Sequence, residues 1–183
     1  MLPLEVHSYY SLLRGTLSPK HLCDFLIAKG YRQFAIADTN NLYGMVFLYQ
    51  TALERGLDMI IGATLDDSHK RKAVLLVKND QGYSNLCRLI TQRHADPNFD
   101  LLKALTGRLE GLVMLTPDRD LLLSYRSEDT YVSLGSGSYS LYRWAKTEAL
   151  PTVANIPAYM GSAWGHQLHR IMRAIDLNTK LSR

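Results

Sequence analysis

The 183-residue chain is short of several features that would assign it quickly. It has two cysteines, Cys23 and Cys87, with no CxxC pair and no secretory leader ahead of them. That argues against a disulfide scaffold and for buried thiols in a reducing cytoplasm. No apolar run approaches the roughly 20 residues needed to span a bilayer, so a soluble chain with no membrane partner is expected. Neither sign of charge dominates. The 21 basic and 17 acidic residues leave a net charge of +4, a bias that fits nucleic acid nearby without pointing to it. The one dense basic run, His69-Lys70-Arg71-Lys72, reads as a solvated loop. There is no GxSxG elbow for a serine hydrolase, no internal repeat, no low-complexity tract and no linker. With 46% hydrophobic residues, one domain over residues 1–183 with one core is expected.

What is present is an alternation of short apolar runs and amphipathic stretches. Leu4 and Val6 alternate with Glu5 and His7 in a strand-like pattern. Ser18 with Pro19 starts a helix that Gly30 stops. Phe34–Ala37 reads as a strand ending at Asp38, and Asn41–Arg55 as a helix closed by Gly56. Further strands are expected at Met59–Ile61, Ala73–Val77, Gly111–Leu115, Tyr131–Leu134 and Thr152–Ala154. Helices are expected at Asp80–Gln92, Leu101–Leu105, around Leu121–Leu123, from the GSGSYS run to Glu148, and at Gln167–Ile175. Repeated βα units predict parallel strands with right-handed crossovers, in an open sheet or a barrel. Either way the site belongs at the strands' C-terminal ends, in the loops after Val6, Ala37, Gly62 and Ala154.

Several residues there have chemistry to offer. Alternate strand positions share a face, so Glu5 and His7 stand side by side as a carboxylate and an imidazole, a pair suited to zinc or manganese. A hydrogen-bonded structural histidine is the plainer alternative for His7. Asp38, in AIADTNN, is a third ligand or an ordinary loop residue. The Gly135–Ser138 run (GSGS) ahead of a helix is a phosphate cradle or a flexible turn. His94, His166 and His169 have no acidic partner at ligand spacing and read as core or surface residues.

LEVHSYYSLLRG (4–15), AIADTNNLYG (35–44), IIGATL (60–65), AVLLVKNDQGYSNLCRL (73–89) and EGLVML (110–115) occur in one order. With PTVANIPAY (151–159) they resemble the N-terminal PHP (polymerase and histidinol phosphatase) domain of bacterial DNA polymerase III alpha subunits. The resemblance implies an α/β fold, a distorted (β/α)7 barrel incomplete at its C-terminus, whose relatives bind up to three metals at the strand ends. Some relatives are phosphoesterases or proofreading nucleases.

The same resemblance marks departures. The first histidine of the family's HxH is Glu5 here, leaving His7. The aspartate of HSDYS is Tyr9, that of SLLDG is Arg14, and the histidine of TDHGNL is Thr39, with Asp38 kept. The glutamate of IIGCE is Thr64, the histidine opening the fourth strand is Lys72, and the closing DVH ligands are Ile156 and Ala158. Asp118 aligns where some members carry a cysteine ligand. The resemblance therefore implies a degenerate metal site, held by Glu5 paired with Arg14 or Lys72, with His7, Glu5, Asp38 and Asp118 as remnants and no cofactor expected. Such a domain would be structural or partner-docking in replication or repair synthesis. It would work in the cytoplasm with the rest of a DNA polymerase chain or other replication and repair proteins, reaching DNA through the parent protein. Arg14 leans toward the error-prone branch, and a chain ending at Arg183 reads as an excised or truncated N-terminal domain. The alternative is a metal-dependent phosphoesterase or 3′–5′ exonuclease using zinc or manganese at Glu5, His7 and Asp38. A free-standing binding module is a third reading.

Overall fold

A computed structural model describes residues 2–181; Met1, Ser182 and Arg183 of the expected domain lie outside the described residues. The elements run α1 (Pro19–Ala28), β1 (Gln33–Ala35), β2 (Asp38–Thr39), α2 (Met45–Glu54), β3 (Asp58–Ile60), β4 (Gly62–Asp66) and β5 (Lys72–Val77). They continue with α3 (Asp80–Ala95), α4 (Leu101–Ala104), β6 (Leu112–Thr116), α5 (Arg119–Ser124), β7 (Thr130–Leu134), α6 (Tyr139–Thr147), β8 (Thr152–Ala154) and α7 (Ala163–Asp176). Local chemistry explains the boundaries. Ser18 Oγ accepts the His21 N–H at the start of α1, Pro19 needs no donor there, and Gly30 leaves with φ +80°. Asn79 caps α3 by accepting the Gly82 N–H at 3.0 Å.

β1 pairs with β3, and the other strands form a six-stranded sheet in the order β2-β4-β5-β6-β7-β8. Most pairings are parallel, but β5 runs antiparallel to both β4 and β6. This corrects the expectation of parallel strands throughout. The link from Asp66 to Lys72 is too short for a crossover and closes a hairpin instead. β4 is also a strand in its own right, following β3 after a single residue. The Glu5–His7 segment forms no extended ladder. Val6 makes one parallel bridge to Ile36 and another to Ala158, placing this segment between the chain after β1 and the chain after β8.

Alternation along β5 distributes its side chains to two apolar clusters. Ala73 and Leu75 pack with Ala63, Leu65, Leu86, Leu89 and Leu101, beneath α3 and α4. Val74 and Leu76 pack on the other side with Ala35, Ala37 and Leu115. Burial on both faces is why this strand reads as the unbroken apolar run AVLLV. Lys72 shares the face of Val74 and Leu76, so the strand delivers an ammonium to the inner side. A third cluster joins Val6, Phe34 and Ile36 to Leu22 and Leu26 of α1 and Leu48 and Ala52 of α2. Val6 is thus anchored outward, and Glu5 and His7, one residue to either side, turn inward.

Candidate functional site

Glu5, His7, Ser8, Ser11 and Asp38 are all buried, with His7, Ser8 and Ser11 at 0% exposure. Val6 fixes the backbone here: its N–H donates to Ala35 C=O, and Ala37 N–H donates back to Val6 C=O. The chain then doubles back so tightly that a Cβ on Gly15 would lie 1.8 Å from the Ser8 carbonyl oxygen. Only glycine fits that turn, which folds Ser8 and Ser11 over Asp38.

Asp38 accepts the Ser8 N–H (2.7 Å) and Ser11 Oγ–H (2.6 Å) at Oδ1, and Ser8 Oγ–H (2.6 Å) at Oδ2. Ser11 Oγ also accepts the Thr39 N–H at 3.0 Å and lies 3.0 Å from His7 Nδ1. His7 Nε2 lies 3.3 Å from Glu5 Oε1. Burial pushes the His7 pKa down, against the pull of Glu5 and Asp38. It pushes Asp38 up, outweighing the Ser11 and Ser8 hydrogen bonds. Imidazole and carboxyl are therefore closer in proton affinity than they would be in water, with Ser11 between them.

Lys72 Nζ donates to Glu5 Oε1, while Asn155 Nδ2 donates to Glu5 Oε2 at 2.7 Å and contacts Ser133 Oγ at 3.1 Å. Burial alone would raise the Glu5 pKa, but the His7 and Lys72 contacts together outweigh it and hold the carboxyl below its usual range. On its far side the His7 ring stacks on Tyr159 (centroids 4.2 Å apart), which stacks on His169 of α7 (5.3 Å). His169 Nδ1 donates to the Arg14 carbonyl oxygen at 2.6 Å.

The structure thus joins the side chains of Glu5, His7, Asp38 and Lys72 in one centre, and the side chains of the other expected residues take no part in its hydrogen bonds. Arg14 pairs with Asp66 (3.3 Å), not with Glu5. Asp118 caps α5 by accepting the Leu121 N–H at 3.0 Å. Ile156 is exposed, and Ala158 serves through its backbone, accepting the His7 N–H and donating to Glu5 C=O. Tyr9 is exposed and packs edge-on to Tyr10. Thr39 and Thr64 are register partners on β2 and β4, and each buries a hydroxyl that has no hydrogen-bond partner.

Ser8, Ser11, Asn155 and Tyr159 belong to the centre without having been singled out, and His169, read from the sequence as a core or surface histidine, adjoins it through its stack on Tyr159. Asn155 follows directly on Ala154, inside a loop the βα pattern had marked, and Ser8 and Ser11 lie in HSYYS; position relative to a strand end was the available signal. Ser11, His7 and Glu5 line up in the order hydroxyl, imidazole, carboxylate. They do not make a hydrolytic triad, because Ser11 is sealed from solvent and its hydroxyl is committed to Asp38.

The model for the PHP domain matches residues 3–142. The chain belongs to the PHP domain family. Among sequence relatives of this PHP domain is the error-prone DNA polymerase of Pseudomonas syringae pv. syringae, 38% identical over 89 residues (48% of this chain, 9% of the relative). The Pseudomonas aeruginosa error-prone polymerase is 37% identical over 115 residues, covering 57% of this chain and 11% of that one. DNA polymerase III subunit alpha of Bacillus subtilis is 33% identical over 121 residues, covering 62% and 11%. The chain spans about a tenth of the length of the curated relatives it matches. Similar solved folds include an amidohydrolase from Chromobacterium violaceum, with TM-score 0.57, 14% identity and coverage of 86% and 87% of the two chains. A putative metal-dependent phosphoesterase from Bifidobacterium adolescentis gives TM-score 0.57 and 14% identity, with coverage of 87% and 88%.

PHP folds suggest a metal at this centre, and the donor set does not fit one as arranged. Both oxygens of Glu5 and both of Asp38 are taken by protein donors, and Lys72 holds its ammonium against Glu5. The hydroxyls of Thr39 and Thr64 are neutral and weak ligands. Among the described residues no three His, Cys, Asp or Glu side chains converge to hold an ion. Among the same residues, no helix is long and apolar enough to cross a membrane.

Proposed function

We propose that this chain is the PHP domain of a bacterial DNA polymerase III alpha-type protein, one domain over residues 1–183, in which an ion pair has replaced the metal centre. The observation that carries this reading is the Lys72 ammonium seated on Glu5, with Asn155 on the carboxylate's other oxygen. A fixed positive charge in the hollow of a former metal site repels a cation and supplies the countercharge that a buried carboxylate needs. The domain is then a scaffold. Its sheets are the wall of a distorted barrel that the Val6 segment completes, and it stabilises or docks the rest of the polymerase chain, or other replication and repair proteins, in the cytoplasm. Tyr9, Arg14, Thr39, Thr64, Lys72, Ile156 and Ala158 are the positions at which ligation has been lost.

A second reading, a phosphoesterase or exonuclease working through Glu5, His7 and Asp38 with zinc or manganese, draws on the phosphoesterase among the similar folds. Elemental analysis of purified protein separates the two, together with phosphatase and exonuclease assays under added manganese. The scaffold reading expects less than stoichiometric metal and no turnover. Stoichiometric zinc or manganese that is lost in His7→Ala, or turnover that is lost in Asp38→Ala, would overturn it.

A further inference from the structure

α2 is apolar on both of its sides. Of its ten residues, MVFLYQTALE, only Glu54 carries a charge. Leu48 and Ala52 face inward and pack with Leu22 and Leu26 of α1. The helical period puts Val46, Phe47, Gln50 and Leu53 on the opposite side. Val46, Phe47, Tyr49 and Leu53, with Tyr43 just ahead of the helix, each keep between 48% and 68% of their surface in solvent. A helix that is apolar all round is ordinarily covered all round. This one is also firmly held: a Cβ on Gly44, its N-cap, would lie 2.0 Å from the Tyr10 ring, and Asn41 Nδ2 donates to Tyr10 C=O at 3.0 Å. The exposed side is therefore preorganised, and covering it costs little in ordering.

Area and symmetry select what covers it. Three aromatic side chains of ~150–250 Å² each, exposed to this degree, together with Val46 and Leu53, present roughly 500 Å² of apolar surface, near the top of what a monomer usually shows. Two such faces supply about 1,000 Å², and the flanking Gln50 and Glu54 bring the total near the roughly 1,200 Å² at which specific interfaces begin. Gln50 sits in the middle of the stripe, with Phe47 three residues before it and Leu53 three after. When this helix packs antiparallel on a second copy about a two-fold axis at Gln50, Phe47 meets the copy's Leu53 at both ends of the contact. The two Gln50 amides meet on the axis, where each can donate to the other. Val46, Phe47, Gln50 and Leu53 carry no charge to repel their own copy, and antiparallel helix dipoles attract. We propose that α2 is a self-association surface, through which two copies of this chain pair antiparallel about a two-fold axis at Gln50. The pairing is independent of the ion-pair reading above, because these four side chains lie outside the Glu5 centre.

The test is sedimentation velocity of the whole chain from about 1 to 300 μM. A reversible monomer–dimer equilibrium is expected, with a dissociation constant of about 1–100 μM for an interface at the lower end of the size range. Phe47→Lys and Leu53→Glu should each weaken dimerisation at least about tenfold, while the unfolding midpoint of the dilute protein stays nearly unchanged because both side chains are exposed. The double variant should dimerise at least about tenfold more tightly than either single one, since antiparallel pairing sets each new ammonium against a new carboxylate of the other copy. A chain that stays monomeric up to about 300 μM would overturn the proposal and leave the stripe to a different protein or a further segment. Dimers that survive both single variants unweakened would overturn it as well. A double variant no tighter than the single ones would overturn the antiparallel pairing.

Discussion

Glu5 and Asp66 are both carboxylates met by basic side chains, and the comparison between them shows what water does to such a contact. Asp66 closes β4 at the rim, where it meets Arg14 at 3.3 Å and Arg93 at 3.4 Å and accepts Asn40 Nδ2 at 2.7 Å. All three charged groups there keep roughly a quarter of their surface in solvent. Glu5 is 2% exposed and depends for its countercharge on Lys72, with His7 Nε2 3.3 Å from the same oxygen. At the rim water competes for both partners, so the contacts tune position more than stability. Inside, the carboxylate has already given up its hydration, and removing a partner leaves a cost that nothing refills.

The contrast can be broken or sharpened by substitution. The largest effect is expected at Asp38, whose two oxygens absorb three buried donors. Asp38→Ala should cost roughly 3 kcal/mol or more, read from the midpoint of urea unfolding, because those donors are left without acceptors. Lys72→Met should follow at about 1–3 kcal/mol, less than for a sealed pair because Lys72 keeps a third of its side chain in water. Adding Glu5→Gln to Lys72→Met should recover most of that loss. If the double variant is as unstable as the sum of the singles, Glu5 and Lys72 are not coupled and the inner side of the comparison fails.

Acid should act on the inner centre through Glu5 and His7 together. Both have folded pKa values below their ordinary ones, so their contribution is whole above about pH 6.5, where the unfolded chain holds no extra protons on them. It falls as pH drops, first through His7 and then, below about pH 4.3, through Glu5. Asp38 works the other way: its raised pKa makes it a cost that acid relieves. Denaturant midpoints measured from pH 7 to pH 4 should therefore decline less steeply in Lys72→Met, in which Glu5 loses a contact that holds its pKa down. An unchanged slope would place the acid sensitivity elsewhere. The smallest effect is expected at the rim, where Arg14→Ala should cost under about 1 kcal/mol, and less still in 1 M salt. A loss as large as that of Lys72→Met would erase the distinction between the two sites.

Much of this arrangement could be read from the sequence because it is written locally. Ser18-Pro19 and Gly30 bound α1, AVLLV marks a strand buried on both faces, and period-two alternation puts Glu5 and His7 on one side. Strand direction was not local: only the short Asp66–Lys72 link makes β5 antiparallel, and the βα rhythm around it masks the link. Partner choice was not local either. Arg14 and Lys72 are equally cationic on paper, and the choice of Lys72 for Glu5 follows from the face of β5 on which it sits. Asn155, Tyr159 and His169 reach the centre across more than a hundred residues, and no spacing rule connects them to Glu5 or His7.

The two bridges of Val6 have a consequence for how such a chain is made. Glu5 and Asn155 are 150 positions apart, and the His7 N–H waits for the carbonyl of Ala158. During synthesis from the N-terminus, the Val6 segment can find Ile36 early, but its other edge stays open until Ala158 has left the ribosome. The centre is therefore assembled last although its first residues are made first, and contacts of such long range make for slow closure. A polar edge carrying Glu5 and His7 is a safer surface to leave uncovered through that interval than an apolar one, because it offers little to a neighbouring nascent chain.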